Sequence, residues 1–200
     1  MTRCFLGFEL EEESRAYLRE RLVPLHRALA DAHGWPLRLV PQENWHATLL
    51  FFDDLDAAAR ATVWQAVADG AQAGTWRALE FAWRGVALWP SPRRPSLLCV
   101  EAEPYADAAR WPLTALLEQP PFSLGDGQHL RDYVPHITVM RLRKGRGASR
   151  VRPRDWDAVQ PLLPPIDPQR VRFDRVSFFL STLSPERPVY PREHTLPLRG

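Results

Sequence analysis

The chain carries two cysteines, Cys4 and Cys99, and a single lysine, Lys144, in 200 residues. Two thiols this far apart, each in an apolar setting, build neither a disulfide framework nor a zinc cluster. No apolar run approaches the ~18 residues a membrane helix needs. The opening stretch from Met1 to Leu10 turns acidic at Glu9, too soon for a secretory leader. A cytoplasmic protein with no membrane partner is therefore expected. Glycine is sparse where nucleotide sites use it: no phosphate-cradling loop, no GxSxG elbow and no dinucleotide fingerprint follows a strand. The net charge of +2 gives only a weak overall field and singles out no class of partner. Arginine, which supplies nearly all the positive charge, is the better bidentate phosphate partner. The accompanying wealth of Ala and Pro explains the arginine excess equally well as a bias in base composition.

With 45% apolar and 25% charged residues, the composition is that of an ordinary globular protein. Two hundred residues make one domain or two small lobes with a real core. Arg3 to Phe8 reads as a first strand. A helix over about 11–32 has Leu18, Leu22, Leu25 and Leu29 on one face, with Pro24 expected to kink or split it and Gly34 and Pro36 to end it. A strand running through Phe52 and a second helix from Ala57 to about Ala71 follow, the helix capped by Asp54 or Asp56. Strands are expected at Trp76–Trp83, Val86–Trp89 and Ser96–Glu101, the last two separated by the proline-rich turn at 90–95. A third helix is read over Tyr105–Glu118. A basic loop and the closing strands Arg170–Leu180 and Val189–Leu198 complete the chain. The pattern implies an α+β fold with antiparallel rather than doubly wound parallel sheets. A diverged duplication would give two pseudo-symmetric lobes, each an antiparallel sheet with helices on its outer face, around a central cleft. The whole chain, 1–200, is read as one such bilobal domain.

Two segments ninety positions apart carry most of the functional information: His46-Ala47-Thr48-Leu49 and His136-Ile137-Thr138-Val139. In a strand, alternate side chains share a face. Each segment therefore presents an imidazole and a hydroxyl on one side and two apolar residues on the other. Two copies supply two imidazoles and two hydroxyls, which suits acid–base chemistry on a phosphate. No carboxylate or cysteine stands at ligand spacing beside either histidine, so neither a metal nor another cofactor is expected.

The doubled motif, with its flanks, resembles the two-histidine (2H) phosphoesterase superfamily, and within it the RNA 2',3'-cyclic phosphodiesterases, also called 2'-5' RNA ligases. Arg3-Cys4-Phe5-Leu6-Gly7-Phe8 resembles the family's opening strand. Pro41 through Leu49 resembles its first motif, with Asn44 two residues before the histidine. Tyr133 through Arg141 resembles its second, with Pro135 before the histidine and Arg141 five after it. Phe178–Leu183 and Val189-Tyr190-Pro191 resemble the closing strands. Phe51-Phe52-Asp53-Asp54 departs from the usual Phe-Leu-Gly, and 125–132 and 144–154 match no family segment. The resemblance implies metal-independent hydrolysis of RNA 2',3'-cyclic phosphate ends to a 2'-phosphate, with reversible 2'-5' RNA ligation as a second reaction. It implies that His46 donates the proton to the leaving 3'-oxygen and that His136 accepts the proton of the attacking water. RNA ends or 2',3'-cyclic nucleotides are the implied partners, and a monomer is expected.

Read from the residues, two imidazoles can do both proton transfers because the unperturbed pKa of ~6.5 allows one to be neutral and the other charged. Thr48 and Thr138 can donate to the non-bridging oxygens where charge gathers. Parity counted from His136 puts Arg141 on the opposite strand face, so it reaches a phosphate only if the strand twists or bulges. Tyr190 is a candidate substrate-binding residue, and Trp45, Phe52 and Trp89 share with it the option of stacking on a base. His26, His33, His129 and His194 read as ordinary polar or core residues. The run from Arg141 to Arg154 reads as a solvated loop or an RNA guide. Two other functions fit the sequence: a non-catalytic RNA- or nucleotide-binding module of the same fold, and a phosphodiesterase for 2'-5' linkages or small cyclic nucleotides.

Overall fold

A computed structural model describes residues 2–73, 81–103, 134–143, 151–181 and 189–198. The helix read over 105–118, the strand start at 76–80, His129 and the loop 144–150 lie outside them. The opening strand β1 (Thr2–Leu10) is buried on both faces from Cys4 to Leu10, because it lies inside the sheet with a partner on either side. Cys4, Leu6, Phe8 and Leu10 enter the hydrophobic core, while Phe5, Gly7 and Glu9 alternate with them on the other face.

Helix α1 (Glu12–His33) lays Leu18, Leu22, Leu25 and Leu29 into that core. It runs through Pro24 as one element, so of the expected kink or split the split does not occur. Gly34 ends it in the left-handed conformation at φ 62°, with its N–H and that of Trp35 satisfying the carbonyls of Ala30 and Leu29. The short strand β2 (Leu37–Leu39) follows, then a 3-10 turn at Gln42–Asn44 and the first motif strand, β3 (His46–Leu55). Helix α2 (Ala57–Gln72) starts at Asp56, whose carboxylate accepts from the Ala59 N–H at 2.8 Å, and buries Val63 and Val67.

The second half brings β4 (Trp83–Trp89), β5 (Leu97–Ala102) and the second motif strand β6 (His136–Leu142). Phe81 and Ala82 precede β4 rather than belonging to an earlier strand, and no break falls between Trp83 and Trp89. A short helix, α3 (Pro153–Val159), stands in what reads as the end of the basic loop. The chain then closes with β7 (Phe173–Leu180) and β8 (Arg192–Pro197). Residues 168–170, the last of them expected in the closing strand, form a 3-10 turn because Pro168 has no N–H to give a ladder and Asp167 caps the turn.

The fold is α+β, with every described strand pairing antiparallel in the order β4-β5-β6-β3-β1-β7-β8 and with β2 also on β6. The two motif strands are neighbours, yet they pair only at Ala47↔Ile137. Beyond that point β2 takes over the same edge of β6, and β3 stays with β1. The sheet therefore narrows to a single residue pair at its middle.

Candidate active site

That one pair sets the geometry of everything around it. Ala47 and Ile137 are the residues between the histidine and threonine of each motif, and both are fully buried. In an antiparallel register, pairing 47 with 137 sets His46 opposite Thr138 and Thr48 opposite His136. All four polar side chains then share one face, around a local two-fold axis through the Ala47–Ile137 pair. They line one cavity of about 580 Å³, a size that suits a small ligand. Because the strands part beyond the single pair, the gap between them is open to a ligand.

The two imidazoles are held alike. Each motif strand begins at its histidine, and each ring turns Nδ1 back to the carbonyl two residues earlier: Asn44 O at 2.8 Å for His46, Val134 O at 2.9 Å for His136. A carbonyl only accepts, so Nδ1 carries a hydrogen in both rings and Nε2 is the working nitrogen. His46 Nε2 lies 3.1 Å from Thr48 Oγ1, so the hydroxyl donates to it when the ring is neutral. Flat packing completes the hold. His46 stacks on Phe5 with centroids 4.8 Å apart and meets Tyr190 edge-on at 5.6 Å. His136 stacks on Trp89 at 4.1 Å.

Each histidine also has a glutamate as its register partner on the neighbouring strand, Glu9 opposite His46 and Glu101 opposite His136. The two carboxylates are treated differently. Glu9 is buried; burial alone would raise its pKa, but hydrogen bonds from Arg192 and Ser177 outweigh it and hold the carboxyl below its ordinary range. Arg192 Nε reaches both Glu9 oxygens, at 2.8 and 2.9 Å. Glu101 instead accepts from the neutral indole of Trp89 at 2.7 Å. Burial pushes the His46 pKa down to about 4; the Asn44 carbonyl and Glu9 oppose the shift, while the positive charges of His136 and Arg141 add to it. Burial also lowers His136, against the Val134 carbonyl and the Glu101 carboxylate. Burial thus favours the neutral form of both rings.

A β-bulge follows each threonine. Leu50 pairs with Leu6 and Thr48 with Gly7, which leaves Leu49 unmatched; Met140 pairs with Leu98 and Thr138 with Cys99, which leaves Val139 unmatched. Leu49 and Leu50 are consequently both buried, as are Val139 and Met140. The parity of each strand flips there. The residue five beyond each histidine, Phe51 or Arg141, is thereby returned to the cavity face, and both line the cavity.

No family model matches the chain. A curated protein, the RNA 2',3'-cyclic phosphodiesterase of Methanothermobacter thermautotrophicus, is 30% identical over 194 residues, covering 94% of each chain. The chain belongs to the RNA 2',3'-cyclic phosphodiesterase family. Solved structures share the fold at lower identity. TT0787 of Thermus thermophilus is 22% identical, covers 99% of this chain and 98% of its own, and superposes with a TM-score of 0.63. Escherichia coli LigT in its apo form is 18% identical over 100% of this chain and 98% of its own, with a TM-score of 0.65. Its complex with 3'-AMP gives 19%, 100%, 99% and 0.62.

In this member of the RNA 2',3'-cyclic phosphodiesterase family, His46, Thr48, His136, Thr138, Arg141 and Tyr190 converge on one cavity. Three of the aromatic candidates do not line it. Trp45 is buried with its indole N–H donating to Val40 O at 3.0 Å, and Phe52 packs on Phe178, because the bulge at Leu49 turns it from the cleft. Trp89 faces His136 itself, not an open base site. His194 stacks on Trp64, and neither His26 nor His33 joins the cavity.

Phe51, Arg38, Glu9 and Glu101 escape sequence reasoning. Phe51 is 57% exposed, a large apolar side chain left at the cavity rim. Its signal was the same five-residue offset that marks Arg141. Among the described residues no three His, Cys, Asp or Glu side chains group as a metal ion requires. Cys99, beside Thr138, has its thiol pushed up to about 12 by burial and is no nucleophile.

Proposed function

We propose that this protein hydrolyses RNA 2',3'-cyclic phosphate ends to a 2'-phosphate by paired-histidine acid–base catalysis at His46 and His136. The observation that carries the reading is the two-fold arrangement of two Nε2 atoms and two hydroxyls around one cavity, each ring oriented by a carbonyl through Nδ1. Membership of the RNA 2',3'-cyclic phosphodiesterase family supports it. Entry of the phosphate anion raises the proton affinity of both rings, and the site then holds one proton between them. Following the family pattern, His46 donates it through Nε2 to the departing 3'-oxygen as the P–O3' bond breaks. His136 takes the proton of the attacking water as the new P–O bond forms. Thr48 and Thr138 donate to the non-bridging oxygens, whose charge grows in the transition state. The return trip of a proton from His136 to His46 resets the site. With a 5'-hydroxyl in place of the attacking water, the same groups would join RNA ends through a 2'-5' linkage as the P–O3' bond breaks, and the reverse of that step would cleave the linkage.

The protein works as a single domain of two lobes. One consists of β1, β3, β7 and β8, the other of β2, β4, β5 and β6, each contributing one motif strand to the cleft at the Ala47–Ile137 pair. Tyr190 and the exposed ring of Phe51 offer the terminal base a platform, in keeping with the nucleotide bound by the related LigT. The partner is an RNA end, met by a monomer without a membrane.

The test is turnover of a 2',3'-cyclic nucleotide by variants whose folding is checked by circular dichroism. His46→Ala and His136→Ala should each lose about 10²–10⁴-fold or more in kcat, the worth of a general acid or base. Thr48→Ala and Thr138→Ala should lose less, each removing one neutral donor. A folded histidine variant with wild-type turnover would defeat the two-imidazole mechanism.

A further inference from the structure

The surroundings of the two histidines are two-fold in shape but not in charge. Each ring faces a glutamate on the neighbouring strand, yet Glu9 is bound by a guanidinium and Glu101 by a neutral indole. Arg192 opens strand β8 at the end of the sheet, two residues after Tyr190, and reaches across β7 to Glu9 on β1. Ser177 on β7 also donates to Glu9, and its hydroxyl lies 2.8 Å from Thr195 Oγ1 on β8. Arg175, the register partner of Glu9 on β7, is engaged by Asp174 at 3.0 Å.

The same guanidinium touches two further groups that hold His46. Its Nη2 lies 3.5 Å from Glu43 O, in the turn before β3. The carbonyls on either side are taken as well: Gln42 O accepts from Arg15 Nη1 at 2.6 Å, and Asn44 O from His46 Nδ1 at 2.8 Å. Arg192 also stands over the Phe179 ring, 5.7 Å from its centre, and that ring packs on His46 with centroids 5.4 Å apart. One side chain thus meets the carboxylate, the turn and an aromatic ring that surround His46.

A carboxylate facing an imidazole favours the charged ring. Burial lowers the His46 pKa most; among the charges about the ring, Glu9 opposes that shift while His136 and Arg141 add to it. A guanidinium in forked contact takes up much of the Glu9 field. The ring it leaves is less basic and, once protonated, the stronger acid. Glu101 keeps its field for His136, which suits that ring to accept a proton. We infer that Arg192 is a positioning residue for His46, which screens the Glu9 carboxylate and braces the Gln42–Asn44 turn so that His46 is suited to proton donation. The inference rests on the proposed role of His46 as the proton donor.

The test is an NMR titration of the His46 ring in saturating sulfate, a phosphate stand-in whose charge is constant over the range. Turnover of a 2',3'-cyclic nucleotide is assayed on the same preparations. Arg192→Gln frees the Glu9 charge and should raise the His46 pKa. Glu9→Gln leaves the arginine charge behind and should lower it. Arg192→Lys keeps a point charge without the fork and should titrate close to the wild type. Loss of packing alone would move both halves of the pair in one sense, so the opposite signs are the signature. Shifts of the same sign, or an unmoved ring in Arg192→Gln, overturn the inference. Should Glu9→Gln not fold, the two Arg192 variants decide, and a lysine that titrates like the glutamine overturns it. Opposite shifts in a protein that turns over no cyclic nucleotide uphold the screening and fault the catalytic reading instead.

Discussion

His46 and His136 sit in the same local frame, yet the charge behind each differs. Glu9 is engaged by the guanidinium of Arg192, whereas Glu101 meets an indole N–H and keeps its field for His136. Glu101 thus meets His136 through the Trp89 ring that stacks on it and through space. Replacing Glu101 by Gln removes the carboxylate that opposes burial, so the His136 pKa should fall further; NMR titration of the ring reads this, and an unchanged titration would refute it. His46 gives a second expectation. Its folded pKa of about 4 lies below the ordinary value of 6.5, so over that window the unfolded chain binds a proton the folded one refuses. Stability should therefore fall as pH drops from about 6.5 towards 4, and His46→Gln should flatten that part of the profile in thermal unfolding. At this scale the sequence was informative for the histidines and threonines, whose two-residue spacing alone places them on one face. It misled for Trp45 and Phe52, because nothing local says which aromatic faces the core. Glu9 and Glu101 are invisible without strand register, since each is read only across from its histidine.

The motif strands work through their bulges. One extra residue at Leu49 and one at Val139 convert a simple alternation into a face that gathers His, Thr and the residue five beyond the His. Parity counting sends Arg141 to the wrong side unless a bulge intervenes, and the structure supplies it. The neighbouring strand β1 is fitted to the same purpose at Gly7. A Cβ there would lie 3.3 Å from His46 Cδ2, 3.2 Å from Ala47 O and 3.4 Å from the Phe179 ring. Gly7→Val should destabilise the fold by about 1–3 kcal/mol through overpacking, and should reduce kcat by tilting the His46 ring. Denaturant unfolding and steady-state kinetics measure both; full activity in a folded variant would show that β1 does not set the ring. Helices α1 and α2 were readable from apolar spacing, a cap and Gly34. The continuity of α1 through Pro24 was not, because burial of Leu22, Leu25 and Leu29 overrides the local penalty. The three residues of β2 and seven of α3 are too short to carry a period.

At the scale of the molecule, an antiparallel α+β architecture was legible in short strands that follow each other directly. The order of those strands was not. That β3 and β6 meet at a single pair, with β2 filling the rest of the edge, depends on pairing between strands far apart in the chain, and no local pattern records it. That pairing is nevertheless what brings the two strand motifs together, because it sets each histidine across from the other motif's threonine. Under the proposed mechanism, two imidazoles so placed supply both proton transfers of cyclic phosphate hydrolysis from the chain's own groups. The most direct measurement incubates a 2',3'-cyclic nucleotide with the protein and excess chelator, then separates the 2'- and 3'-monophosphates. The account predicts undiminished turnover to the 2'-phosphate; loss of activity on chelation, or no turnover at all, would contradict it.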